Sequence, residues 1–119
     1  MAIRDKMRAN AAHVLQPGEN IQAVFSAQPT DPYLALFFWL TLFANVYRVI
    51  VVTDRRILVC RSGRLRMTPV TEVLRELPRS TRIGSPSGLW WYCETLGEGL
   101  YVHKRFHTDI NAADGVAAA

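Results

Sequence analysis

The stretch VYRVIVVTDRRILVCRSGR, residues 46–64, constrains the fold of this chain more than any other. Apart from Arg48, residues 46–53 are β-branched or aromatic, and such side chains pack well on a pleated surface. Asp54-Arg55 makes a tight turn, residues 56–61 return as a second aliphatic strand, and Ser62-Gly63 closes the pair. This pattern predicts a β-hairpin. A chain of 119 residues built around one such hairpin is a single domain with a modest core.

The flanking sequence supplies more strands than helices. Ile3, Met7, Ala11 and Val14 form one apolar stripe, so residues 2–15 read as a helix that Pro17-Gly18 ends. IQAVFSA then alternates, with Ile21, Ala23 and Phe25 on one face and Gln22 and Ser26 on the other, as a strand does. After the hairpin, residues 64–67 read as a short strand pairing. TEVLREL (71–77) fits either helix or strand, and the strand is favoured. TRIG (81–84), LWWYCE (89–94) and LYVH (100–103) complete the strands, with SPSG and TLGEG as turns. Phe106, Ile110 and Ala113 mark a closing amphipathic helix, and VAAA is expected to fray. About seven short antiparallel strands and one capping helix predict a mainly β, α+β fold, a small barrel or two orthogonal sheets. The expected layout is an N-terminal helix over 1–18, a domain over 19–114 and a tail over 115–119.

Between the first strand and the hairpin lies YLALFFWLTLFANVY, residues 33–47, and nothing charged stands between Asp31 and Arg48. Sixteen uncharged positions are too few for a helix to cross a bilayer, which takes roughly 20 residues. Read as a helix over 33–44, the segment is apolar nearly all round, with only Ala35, Thr41 and Ala44 as relief. A helix without a polar face is buried in protein, lies in lipid, or forms a contact between chains. A small domain has little interior to surround it, and a protruding apolar patch marks an interaction site. The candidate contact residues are Tyr33, Leu36, Phe37, Phe38, Trp39, Leu40 and Phe43.

Charge is concentrated beside this segment. The chain carries a net charge of +4, yet residues 48–82 alone hold nine arginines against Asp54, Glu72 and Glu76. Arg48, Arg55, Arg56, Arg61, Arg64 and Arg66 form the candidate basic patch. Such a zone meets anionic lipid, nucleic acid or an acidic protein; the plain alternative is a solvated arginine-rich face. Trp90, Trp91 and Tyr92 offer stacking surfaces for single-stranded nucleic acid. Consecutive strand residues point to opposite faces, however, so at least one belongs to the core, and no nucleic-acid fold signature is legible.

Nothing in the sequence marks an enzyme or a cofactor. His103 and His107 in HKRFH lack the glutamate of a zinc-protease helix and a third ligand, so no metal site is assigned. Ser80, Ser85 and Ser87 have no nucleophile-elbow context, and GSPSG is a turn rather than a phosphate loop. Cys60 and Cys93 sit in apolar stretches and read as small buried hydrophobes. The N-terminus MAIRDKMRAN has no apolar signal core, so the reading is a cytoplasmic protein with reduced thiols.

YRVIVVTDRRILV resembles the signature hairpin of bacterial PH-like (pleckstrin-homology and GRAM-type) domains, in which an aliphatic strand ends in a Thr-Asp/Asn-Arg-Arg turn. LPRSTRIGSPSGLWWY and LYVHKRFHTDINAAD are similar to the later strands and closing helix of small actinobacterial PH-domain-containing proteins. The resemblance covers residues 19–114. It implies a seven-strand barrel, a C-terminal capping helix, and a contact loop between the first two strands, where this chain carries the apolar insert 32–45. The basic phosphoinositide motif of that loop is missing, so recognition of that specific lipid is not implied. The expected function is a non-enzymatic binding or adaptor module. It touches an anionic membrane surface, at the inner face of the plasma membrane, through the insert and its arginines. The alternative is a protein-interaction or homo-oligomer module with the insert buried between chains.

Overall fold

A computed structural model of the chain describes residues 3–29, 46–63 and 67–118. The apolar contact residues at 33–43, together with Arg64 and Arg66 and most of the strand pairing expected over 64–67, lie outside the described residues.

The hairpin forms where its β-branched residues predict it. Strand β1 (Ile21–Ala27) pairs with β2 (Arg48–Thr53), β2 with β3 (Arg56–Arg61), and β3 with β4 (Glu72–Pro78), all antiparallel. β5 (Trp90–Cys93) and β6 (Leu100–His103) make a second, two-stranded sheet. One bridge, Gln28↔Tyr101, joins the sheets at the end of β1. Helix α1 (Ile3–Ala11) continues into a short 3-10 turn over Ala12–Val14, and helix α2 (His107–Ala118) closes the fold; both pack on β1. The fold is mainly β, with two sheets and two helices. Six strands stand among the described residues, and these residues close no barrel.

Burial follows from composition. Val49–Val52 and Ile57–Cys60 are fully buried, as unbroken aliphatic runs require when both faces of a strand are covered. Met7 and Ala11 of the α1 stripe, Phe106 in the 3-10 turn just before α2, and Ile110 and Ala113 along α2 complete the core, with Phe25, Leu96 and Leu100. β4 is largely exposed and ends in Pro78, which an edge strand tolerates because its outer N–H groups need no partner.

Two expectations are corrected. Thr81–Gly84 is not a strand: the Ile83 and Gly84 N–H groups donate to the buried carboxylate of Asp114 at 2.8 and 2.9 Å, and Thr95 Oγ1 donates to the Ile83 carbonyl at 2.7 Å. Side chains from distant segments thus take the bonds a neighbouring strand would have taken. Gly84 has φ +140, and a Cβ there would stand 2.7 Å from the Trp91 ring, so only glycine fits. Ser26 is not on a solvent face; it is buried with the rest of residues 23–27, because α1 and α2 both cover β1. Helix α2 runs through Ala118, into the tail expected over 115–119.

Candidate functional site

The hairpin separates its arginines into two groups. Arg48 and Arg61 lie directly opposite each other at one end, while Arg55 and Arg56 sit at the turn. At about 3.4 Å per residue, the length of β2 puts on the order of 17 Å between the two ends. The candidate patch is therefore two sites with different surroundings.

At the turn end Arg56 is bound inward. Glu19, whose side chain has no exposed surface, receives Arg56 in a two-point clamp: Arg56 Nε donates to Oε2 and an Arg56 terminal nitrogen to Oε1, both at 2.9 Å. Thr53 Oγ1 donates to Oε2 at 2.6 Å, and the Gln16 N–H to Oε1 at 2.9 Å. Arg56 also reaches Glu76 on β4 at 3.1 Å and the Val14 carbonyl at 3.2 Å. One guanidinium thus ties the end of the N-terminal helical segment, the approach to β1, the hairpin turn and β4. The hydrogen bond from Arg56, helped by those from Thr53 and Gln16 and opposed by burial, lowers Glu19 to a pKa of about 2. Glu19 in turn raises Arg56 above its ordinary value.

The same contacts explain the TDRR turn. Thr53 Oγ1 accepts from the Arg55 and Arg56 N–H groups at 3.2 and 3.1 Å, which closes the turn. Asp54 Oδ1 accepts from the Asn20 N–H, and the Asp54 N–H donates to the Asn20 carbonyl, both at 3.0 Å. Three of the four motif residues hold the turn. Arg55 is exposed and contacts Gln16 at 3.4 Å.

The opposite end is where the apolar segment is attached. β1 ends at Ala27, paired with Arg48 at the start of β2, so the chain leaves at residue 29 and re-enters at 46 on one side of the sheet. The Tyr47 N–H donates to the Gly63 carbonyl and the Ser62 N–H to the Tyr47 carbonyl, each at 2.9 Å, so the chain departs toward Arg64 and Arg66 from the same place. Arg61 is half exposed and meets an equally exposed Glu72 at 2.8 Å, an ion pair that solvent weakens. Arg48 is more enclosed: it donates to Glu98 at 3.2 Å, and Arg75 also binds Glu98. Burial works against the Glu98 carboxylate, but hydrogen bonds from Arg75 and Arg48 outweigh it and hold its pKa below the ordinary value. Arg48 and Arg56 are thus committed to internal pairs; Arg61 remains exposed at the end where the apolar segment is attached, and Arg55 is exposed at the far end, away from it.

Sequence spacing missed Arg105. It stands two residues beyond β6, is exposed, and among the described residues has no carboxylate partner. Its Nε lies 3.4 Å from Nδ1 of His103. Burial, the positive charge of Arg105 and the neighbouring His107 lower the pKa of His103, which favours its neutral form.

Among the described residues, no three His, Cys, Asp or Glu side chains come together as a metal-ligating group. His107 turns its ring toward the Val102 carbonyl at 3.4 Å. Cys60 is buried, and burial, slightly opposed by Arg56, pushes its thiol up to about 11, so it stays protonated at neutral pH. Among the described residues, no helix is long and apolar enough to cross a membrane. Compared with family models, curated proteins and solved structures, the chain shows no match in any of the three.

Proposed function

We propose that the chain is a PH-like, non-enzymatic binding module that docks on an anionic membrane surface through its 33–45 segment. The observation that carries this reading is the common attachment point. The uncharged segment and the connection bearing Arg64 and Arg66 both leave the sheet at the end where the half-exposed Arg61 stands. An apolar element rimmed by arginines combines burial in the acyl boundary with attraction to lipid phosphates, each modest alone. The antiparallel four-strand sheet, the smaller sheet bridged to its first strand and the closing helix on β1 support the PH-like assignment.

The test is co-sedimentation with anionic and with neutral vesicles at two salt concentrations. The intact chain is compared with the double variant Phe37→Asp/Trp39→Asp, with light scattering after size exclusion as the control for folding. The expected result is salt-sensitive binding to anionic vesicles that a folded double variant loses. A chain that forms a stable dimer and ignores both vesicle types overturns the proposal and places the segment between copies.

A further inference from the structure

A half-enclosed cavity of about 170 Å³ opens where the end of β1, Tyr47 just before β2, the start of β5 and the end of β6 meet the residues that lead into the closing helix. Among the described residues, Tyr47, Trp90 and Phe106 give it aromatic walls, while Ser26, His103 and Arg105 bring polar groups to it. A cavity of about 150 Å³ admits a benzene ring, so this one suits a single ring with a small substituent.

The polar groups define that substituent. Ser26 is 3% exposed, and its Oγ is buried without a hydrogen-bond partner. Such a hydroxyl is costly unless something supplies its bond. His103 Nδ1 accepts from the Arg105 N–H at 3.1 Å, which leaves Nε2 to carry the proton of the neutral ring as a donor. Trp90 stands edge-on to the His103 ring, centroids 5.0 Å apart, and fixes its plane. The Arg105 guanidinium lies 5.9 Å from the centre of the Phe106 ring, and among the described residues no carboxylate pairs with it. Two or three donors around an unneutralised cation call for an anionic acceptor. The aromatic walls call for a flat apolar body.

We infer that this cavity binds a small aromatic carboxylate, with the ring against Trp90, Tyr47 and Phe106 and the carboxylate held by Arg105 and the Ser26 hydroxyl. This proposal stands apart from the membrane reading, because its test contains no lipid.

The test titrates the full chain with benzoate and follows backbone amide and Trp90 indole signals by NMR. Benzamide serves as the uncharged analogue of the same shape, and acetate as the anion without a ring. The expected result is saturable shifts at Ser26, His103 and the Trp90 indole with benzoate. Binding should be about tenfold weaker for benzamide and for the Arg105→Gln variant, as loss of a charged hydrogen bond implies. Arg105 is exposed, so that variant keeps the fold; Ser26→Val, which fills the space and removes the hydroxyl, is the second variant and should abolish the shifts. The proposal is overturned if benzoate gives no saturable shift in a folded chain, if acetate binds as well as benzoate, or if both variants bind like the parent.

Discussion

Arg56 at the turn of the central hairpin and Arg61 at its opposite end are the same residue type used in opposite ways. At the turn, Arg56 is 13% exposed and holds a fully buried Glu19, so its charge is spent inside the molecule. At the other end, Arg61 is 50% exposed and faces an exposed Glu72, so its charge remains available to something outside. Position along the strands does not decide the role: Arg48, opposite Arg61, is held by Glu98, and Arg55, beside Arg56, is exposed, so what decides it is whether an enclosed carboxylate meets the guanidinium. A count of arginines therefore overstates the contact surface, and the sites must be separated before charge is translated into binding.

Four measurements break or sharpen this contrast. The largest effect belongs to Arg56→Met. It leaves the Glu19 carboxylate buried without its cation, and equilibrium denaturation should show a loss of about 3–5 kcal/mol. An Arg56→Met chain as stable as the parent would remove the distinction between the two ends.

Acid unfolding tests the same clamp without changing Arg56. Glu19 has a folded pKa of about 2 against an ordinary value of 4.5. A lowered carboxylate contributes stability above pH 4.5, and that contribution disappears as pH falls from 4.5 through 2. The shift corresponds to about 3 kcal/mol. Glu19→Gln should be less stable than the parent at pH 7 and should flatten this part of the pH profile. A profile in the variant as steep as the parent's would mean that other carboxylates carry the acid sensitivity.

Thr53→Val keeps the β-branched shape in β2 and removes only the hydroxyl that binds Glu19 and closes the turn. A loss of about 1–2 kcal/mol in denaturant midpoint stability is expected. The smallest effect is that of Arg61→Ala, within about 0.5 kcal/mol of the parent, because exposed ion pairs contribute little. A loss comparable to that of Arg56→Met would show that Arg61 is a structural residue as well.

The parts of the fold legible in the sequence are those set by near neighbours. The β-branched runs on either side of Thr53-Asp54-Arg55 specify the hairpin, and the 3.6-residue spacing of Met7, Ala11 and of Phe106, Ile110, Ala113 specifies the two helices. What the sequence conceals depends on distant partners. Glu19 and Arg56 are 37 positions apart, and no local pattern pairs them. Thr81–Gly84 has strand-like composition, yet Asp114, about 30 positions away, takes its N–H groups. Arg105 was hidden because HKRFH reads as a helix start, and only the fold brings it beside Phe106 and His103. The same limit applies to the candidate patch: spacing shows where positive charge accumulates, while only geometry shows which charges are already paired.

The most direct test of the account compares the two ends against one surface. Anionic vesicles are titrated with the parent chain, with Arg55→Gln at the turn, and with Arg61→Gln/Arg64→Gln/Arg66→Gln at the opposite end, and bound protein is measured by sedimentation at low salt. The account predicts that Arg55→Gln binds nearly as well as the parent. The triple variant should lose most of its binding, since each basic residue near an anionic surface contributes about 1 kcal/mol. Equal loss in both variants, or a triple variant that binds like the parent, would contradict it.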